Sequence, residues 1–320
     1  MAILLEASTP PRAERAIVFA CDGQYARYAM LAAEQIARLH PARDFDICLC
    51  YMDDRPSEPA SLAHLGVRYC RVTAGDLFDG LRLDPGRTQV VYLRLALPAA
   101  FAGEYRRLLY LDGDVFVQGG DFGALLGVDL GSHAIGAVRD NSQWRTPARR
   151  PKQFKVLGVE GAPYFNAGVM LIDVAGFNAQ GILGSCVRIG RENRDVMIRH
   201  DQNLLNATLK GDWAELSPRW NWQYTWASRL FEAMEDANVV HFIGPRKPWK
   251  DERGEFPLRF KRAYRAFMAA HFPDHPVGPD GTLPHENPAF LRRMLVKHLL
   301  ALGKTCAYLD RFPDDLTVVR

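Results

Sequence analysis

The 320-residue chain has no run of about 18 apolar residues, so no membrane-spanning helix is expected. Its first residues, MAILLEASTPPRAER, hold an apolar patch with no basic stretch before it, and a secretory signal is not expected. Charge of one sign is scarce: the formal net charge is +3, too small to point to nucleic acid as a partner. The six cysteines, Cys21, Cys48, Cys50, Cys70, Cys186 and Cys306, lack metal-site spacing. Buried free thiols in a reducing compartment are the expectation, which sets the localisation as cytoplasmic. Internal repeats and low-complexity tracts are missing too.

What is present is a globular profile, 48% apolar and 24% charged, long enough for one large core or two smaller ones. AIVFAC (16–21), FDICLCYM (45–52), VRYCRV (67–72) and RLLYL (107–111) read as strands. QYARYAMLAAEQIARLH (24–40) and SLAHLG (61–66) read as helices, and QVVYLRLALPAAF (89–101) reads as a helix interrupted at Pro98. Apolar strands alternating with helices imply an α/β fold with a mostly parallel central sheet flanked by helices. HAIGAV (133–138), GVMLID (168–173) and NVVHFI (238–243) are further strand candidates. The stretch around 275–288 is rich in Pro, Gly and Asp and reads as a linker. Beyond it lies a basic amphipathic helical segment. Leu291, Leu295, Leu299 and Leu302 share a stripe, with Arg292, Arg293, Lys297 and Lys304 beside it.

Two carboxylates, Asp112 and Asp114, follow the strand RLLYL with a glycine between them. In open α/β sheets ligands bind outside the carboxyl ends of strands. Gly113 lets the turn bring both carboxylates to one ion, and oxygen ligands favour Mg²⁺ or Mn²⁺. Alone, the pattern is equally that of a solvated turn. A second cluster, HFIGPRKPWK (241–250), changes the balance. Imidazole from His241 beside two carboxylates suits Mn²⁺ better than Mg²⁺. Lys247 adds positive charge from which a diphosphate would profit.

These residues resemble glycosyltransferase family 8, retaining enzymes that use nucleotide sugars, and within it the bacterial lipopolysaccharide galactosyl- and glucosyltransferases. Glycogenin is a more distant relative. The resemblance covers about residues 16–275. It rests on FACDGQYARY, VYLRLALP, RLLYLDGDVFV, YFNAGVMLIDV, HDQNLLN and HFIGPRKPWK, in that family order. It implies one GT-A type nucleotide-sugar-binding domain over 16–275, followed by a linker and helical extension over 276–320. It further implies that Ala20, Asp22 and Gln24 hold the uridine of a UDP-sugar, where many relatives have Asn in place of Gln24. Asp112, Asp114 and His241 become the metal ligands, with the backbone of Gly113, which replaces a larger residue, facing the ribose. Arg94 contacts the donor sugar or its phosphate, Asn166, Ala167 and Gly168 line the donor sugar, and Asp140 matches a further donor-site position. Asp201 bonds to sugar hydroxyls and Gln202 sits beside the anomeric carbon. Gly244 and Lys247 contact the diphosphate.

The implied activity is metal-dependent, retaining transfer of galactose or glucose from UDP-galactose or UDP-glucose to a saccharide or glycolipid acceptor such as a lipopolysaccharide core. Gln202 is a poor nucleophile, which favours front-face attack over double displacement. The C-terminal segment suits peripheral contact with the inner face of the cytoplasmic membrane. Two other readings compete. In haloacid-dehalogenase-like phosphatases the motif normally continues with x-Thr or x-Val after the second Asp and lies near the chain start; here Val115-Phe116 follows, a third of the way along. A non-catalytic nucleotide-sugar-binding protein would leave the clustered metal and phosphate residues without a reaction to serve.

Overall fold

The computed structural model describes residues 3–280 and 286–320. Residues 281–285 of the linker reading lie outside them. The strands are β1 (Leu4–Ala7), β2 (Arg15–Ala20), β3 (Asp46–Tyr51), β4 (Arg68–Thr73), β5 (Arg107–Leu111), β6 (Val115–Val117), β7 (Ile135–Arg139), β8 (Phe165–Asp173), β9 (Ala214–Leu216), β10 (Trp222–Gln223), β11 (Val239–His241) and β12 (Val318–Val319). Nine of them form one sheet in the order β1-β4-β3-β2-β5-β8-β7-β9-β12. Side chains alternate along β2: Ile17 and Phe19 enter the core on one face, Ala16 and Val18 the core on the other. Helices cover both faces. The fold is α/β, with a large central sheet flanked by helices.

The parallel run is β4-β3-β2-β5, with β7-β9 parallel beyond it. β8 enters between β5 and β7 antiparallel to both. β11 does not join this sheet. It pairs with β6 and β10 in a second, three-stranded sheet, with His241 directly opposite Val115. Both sheets therefore meet at the turn between β5 and β6. Helix α1 (Ala26–Leu39) follows β2, and α2 (Leu93–Ala100) runs two residues past Pro98 rather than stopping there.

The C-terminal segment differs from expectation. Helix α3 (Pro288–Leu309) is one 22-residue helix whose far end belongs to the domain. Tyr308, Leu309 and Phe312 are buried in the core, Tyr308 Oη donates to Glu215 Oε1 at 3.0 Å, and β12 pairs with β9. The end of this segment thus packs on the sheet, through Tyr308, Leu309, Phe312 and β12. The stripe Leu295, Leu299 and Leu302 was read correctly as apolar, yet it faces outward: Leu299 is 68% exposed.

Candidate active site

β5 ends at Leu111, and the backbone turns through Asp112, Gly113 and Asp114 before β6 begins. The amide of Asp112 donates to the carbonyl of Gly168 on the neighbouring strand at 2.8 Å. On the other side, the amide of Phe242 donates to the carbonyl of Asp114 at 3.2 Å. The two sheets so fix where both carboxylates and His241 stand. His241 Nε2 lies 3.2 Å from Asp114 Oδ1 and 3.6 Å from Asp112 Oδ2. One ligand atom from each of the three residues can be chosen so that all lie within 4.8 Å of one another. That set of two carboxylates and an imidazole suits a divalent cation. Two further observations fit it. Asp114 Oδ1 is buried with no hydrogen-bond donor. A Cβ on Gly168 would stand 2.1 Å from His241 Cε1 and 2.8 Å from Asp112 Oδ2, so only glycine leaves room for the trio.

The imidazole is oriented by a chain of amides. Gly168 N–H donates to Asn166 Oδ1 at 3.0 Å, and Asn221 Nδ2 donates to the same oxygen at 2.9 Å. Asn221 therefore presents Oδ1 to His241 Nδ1 at 3.0 Å. The network assigns a proton to Nδ1 and turns Nε2 toward the carboxylates. Asn221 was missed in the sequence. Its signal was a polar residue inside the buried aromatic run WNW, where Trp220 and Trp222 are core side chains.

Lys247 is buried, and its ammonium pairs with Asp114 Oδ2 while donating to the carbonyl of Phe242. Burial would push the Asp114 carboxyl up; Lys247 and His241 outweigh it and hold the group well below the usual carboxylate range. Arg94, also buried, spans two acids. Its Nη2 donates to Asp112 Oδ1 at 2.8 Å, its Nη1 to the Ala167 carbonyl at 2.7 Å, and its Nε lies 2.9 Å from Asp201 Oδ2 in an ion pair without hydrogen-bond alignment. Burial pushes the Asp201 carboxyl up to about 6 against the pull of Arg94. Gln202 Oε1 accepts from Asn166 Nδ2 at 3.2 Å and from the Ala167 amide at 3.3 Å. Asp140 Oδ2 accepts from Arg199 at 2.9 Å, with Gln202 Nε2 3.5 Å away. Just before Asp201, His200 adopts a left-handed backbone (φ 46°), a strain that the surrounding packing must hold.

These groups line one cavity of about 990 Å³, together with Ala20, Asp22, Asn166 and Gly244. Asp22 Oδ1 accepts from the amides of Gln24 and Tyr25, and so fixes the turn into α1. Gln24 itself is exposed and lies outside the cavity lining, whereas Tyr25 lines it. Ala167 and Gly168 stand behind the wall, acting through Arg94 and His241. Gly113 lines the cavity and packs tightly, since a Cβ there would meet Cys21 Sγ at 3.3 Å.

Residues 16–253 match the family described as "Glycosyl transferase family 8". The chain belongs to that family. This family 8 chain is similar to General stress protein A of Bacillus subtilis, 32% identical over 51% of this chain and 59% of that protein. It is similar to the lipopolysaccharide glucosyltransferase WaaO of Escherichia coli, 27% identical over 76% of this chain and 70% of that one. Among solved structures it resembles galactosyltransferase LgtC in complex with donor and acceptor sugar analogues. The TM-score there is 0.65, with 26% identity, covering 80% of this chain and 96% of that one. The chain spans only 59% of the stress protein and 41% of the glycosyltransferase GlyF of Streptococcus pneumoniae. Family membership gives the phosphatase reading of the paired aspartates no support.

Proposed function

We propose that the protein transfers galactose or glucose from a UDP-sugar to a lipopolysaccharide-core saccharide, with retention at the anomeric carbon. The observation that carries this reading is the convergence of Asp112, Asp114 and His241 at the floor of a cavity that also holds Arg94, Lys247 and Asp201. Asp112, Asp114 and His241 would hold Mn²⁺ or Mg²⁺, which when bound neutralises charge on a departing diphosphate. Lys247 would supply the second positive charge at that oxygen cluster. Ala20 and Asp22, at the end of β2, would seat the uridine. Arg94 and Asp201, locked together, would orient the donor hexose through its hydroxyls.

Gln202 accepts two hydrogen bonds through the oxygen that would otherwise attack. Its amide is therefore held as a positioning group, which supports attack by the acceptor hydroxyl on the leaving-group face. Named relatives acting on lipopolysaccharide support the acceptor class. So does the outward face of α3, where Leu295, Val296, Leu299, Leu300 and Leu302 are exposed beside Lys297 and Lys304. No helix among the described residues is long and apolar enough to cross a membrane. Such a face suits reversible contact with an anionic bilayer, each basic residue contributing about 1 kcal/mol.

The test is UDP release from a panel of UDP-sugars with Mn²⁺ and lipopolysaccharide core acceptors. Release with UDP-galactose or UDP-glucose, abolished by EDTA, is the expected result. Failure of every UDP-sugar, together with no measurable UDP binding, would overturn the reading.

A further inference from the structure

Buried arginines in this fold are neutralised, with one exception. Arg68 pairs with Glu104, and Arg94 with Asp112 and Asp201. Arg229 is only 7% exposed and has no carboxylate in ion-pair range among the described residues. Its Nη1 donates to the backbone carbonyl of Glu255, and its Nε is buried without an acceptor. Four aromatic rings surround the guanidinium: its carbon lies 4.6 Å from the Trp226 ring centre, 5.3 Å from Tyr224 and Phe256, and 5.4 Å from Phe290. Rings offset part of the cost of burying the charge, but they do not replace an anion. Burial accordingly lowers the pKa of Arg229.

A second guanidinium converges on the same indole. Arg293, from α3, stands 4.5 Å from the Trp226 ring centre and likewise has no carboxylate in ion-pair range among the described residues. Two like charges at one ring, with no carboxylate in ion-pair range among the described residues and Glu255 and Asp251 acting on Arg229 only from farther away, leave a place for an anion from outside. Arg229 and Trp226 line the main cavity, so that place is reachable from it. The charged groups facing Arg229 are Glu255, Asp251 and Arg246, none of them part of the Asp112–Asp114–His241 cluster. The proposed anion is thus taken as a second one beside the diphosphate, and competition with UDP tests that distinction.

We propose that Arg229 and Arg293, joined across Trp226, form a subsite for a phosphate or carboxylate group carried by the acceptor saccharide. This rests on the glycosyltransferase reading of the cavity and adds to it that the acceptor is anionic. With Nη1 of Arg229 on the Glu255 carbonyl and its Nε buried, Nη2 of Arg229 and the exposed Arg293 guanidinium would each donate to such a group.

The test is calorimetric titration of the full chain with glucose 6-phosphate, glucuronate and glucose, each with and without saturating UDP and Mn²⁺. One or both anionic sugars should bind at least tenfold more tightly than glucose, more weakly at high salt, and UDP should not compete. The two anionic arms tell phosphate from carboxylate. Arg229→Gln should remove most of the preference. Because that residue is buried, Arg293→Gln provides a second variant at an exposed position, expected to lose roughly threefold or more. Equal affinity for charged and neutral sugars, competition by UDP, or an intact preference in Arg293→Gln and a folded Arg229→Gln would each overturn the proposal. A chain that fails to bind UDP yet keeps the arginine-dependent preference would defeat the glycosyltransferase reading and leave the anion subsite standing.

Discussion

Replacing Gly168 with alanine isolates the geometry of the trio from its chemistry. The backbone at 168 is not left-handed, so alanine meets no conformational penalty there. The penalty is contact: the new methyl would lie 2.1 Å from His241 Cε1, 2.6 Å from His241 Nδ1 and 2.8 Å from Asp112 Oδ2. Ordinary contact needs about 3.4 Å, so the imidazole must retreat by about 1 Å and leave its hydrogen bond to Asn221. A displacement of that size costs on the order of 100-fold in a positioned site. Metal-ligand distances tolerate only about 0.2 Å. Gly168→Ala should therefore weaken Mn²⁺ binding by roughly 100-fold, measured by calorimetry or electron paramagnetic resonance in the presence of UDP. Overpacking should cost about 1–3 kcal/mol, or about 2–5 °C in Tm for a chain of this length. Gly136→Ala is the control. Its methyl would meet Leu130 Cδ2 at 2.6 Å, away from the site, and should lower Tm without changing Mn²⁺ affinity. A folded Gly168→Ala protein that binds Mn²⁺ within threefold of the parent would refute the reasoning.

Asn221→Leu should free the His241 tautomer and weaken Mn²⁺ binding about 10- to 100-fold, while Asn221→Asp, which keeps an acceptor, should lose far less; nitrogen-15 shifts of the imidazole report the tautomer directly. Asp201, raised from 3.8 to about 6, gives the fold stability that is complete below about pH 4 and lost as pH rises through about 6. Asp201→Asn should therefore raise Tm more at pH 8 than at pH 4 relative to the parent, and equal shifts at both values would count against a buried, raised carboxyl. Exchanging Leu299 and Leu300 together for Glu should abolish sedimentation with anionic liposomes and leave Tm unchanged, since they are 68% and 75% exposed; undiminished pelleting would show that this face does not meet the bilayer.

The parallel strands were legible because burial on both faces makes β2, β3 and β5 continuous apolar runs. The second sheet was legible only in part, since β11 lies within the expected strand NVVHFI whereas β6 and the pairing of the two were not foreseen. β6 and β11 have three residues each, too short to carry a period, and only their register places His241 opposite Val115. The helix stripe on α3 was legible, but not the packing of the helix. Periodicity finds an apolar face but does not say what covers it, and the face that packs on the domain uses Ala301, Thr305 and Tyr308. The resemblance implies that Lys247 is a diphosphate contact; that it pairs with Asp114 follows only from the fold.

That pairing connects metal and nucleotide in one balance of charge. Asp112, Asp114 and Asp201 place three carboxylates at the cavity floor against two cations, Arg94 and Lys247, both already engaged. A diphosphate approaching this floor would meet net negative charge, and Lys247 could turn to it only by leaving Asp114 with a buried, unpaired oxygen pair. A dication held by the trio would leave Asp114 with a partner and free the ammonium for phosphate. Phosphate oxygens would in turn add ligands of the kind such a dication takes. Under the proposed function each ligand would remove the obstacle to the other, and a favourable coupling free energy between them would follow from the position of one lysine.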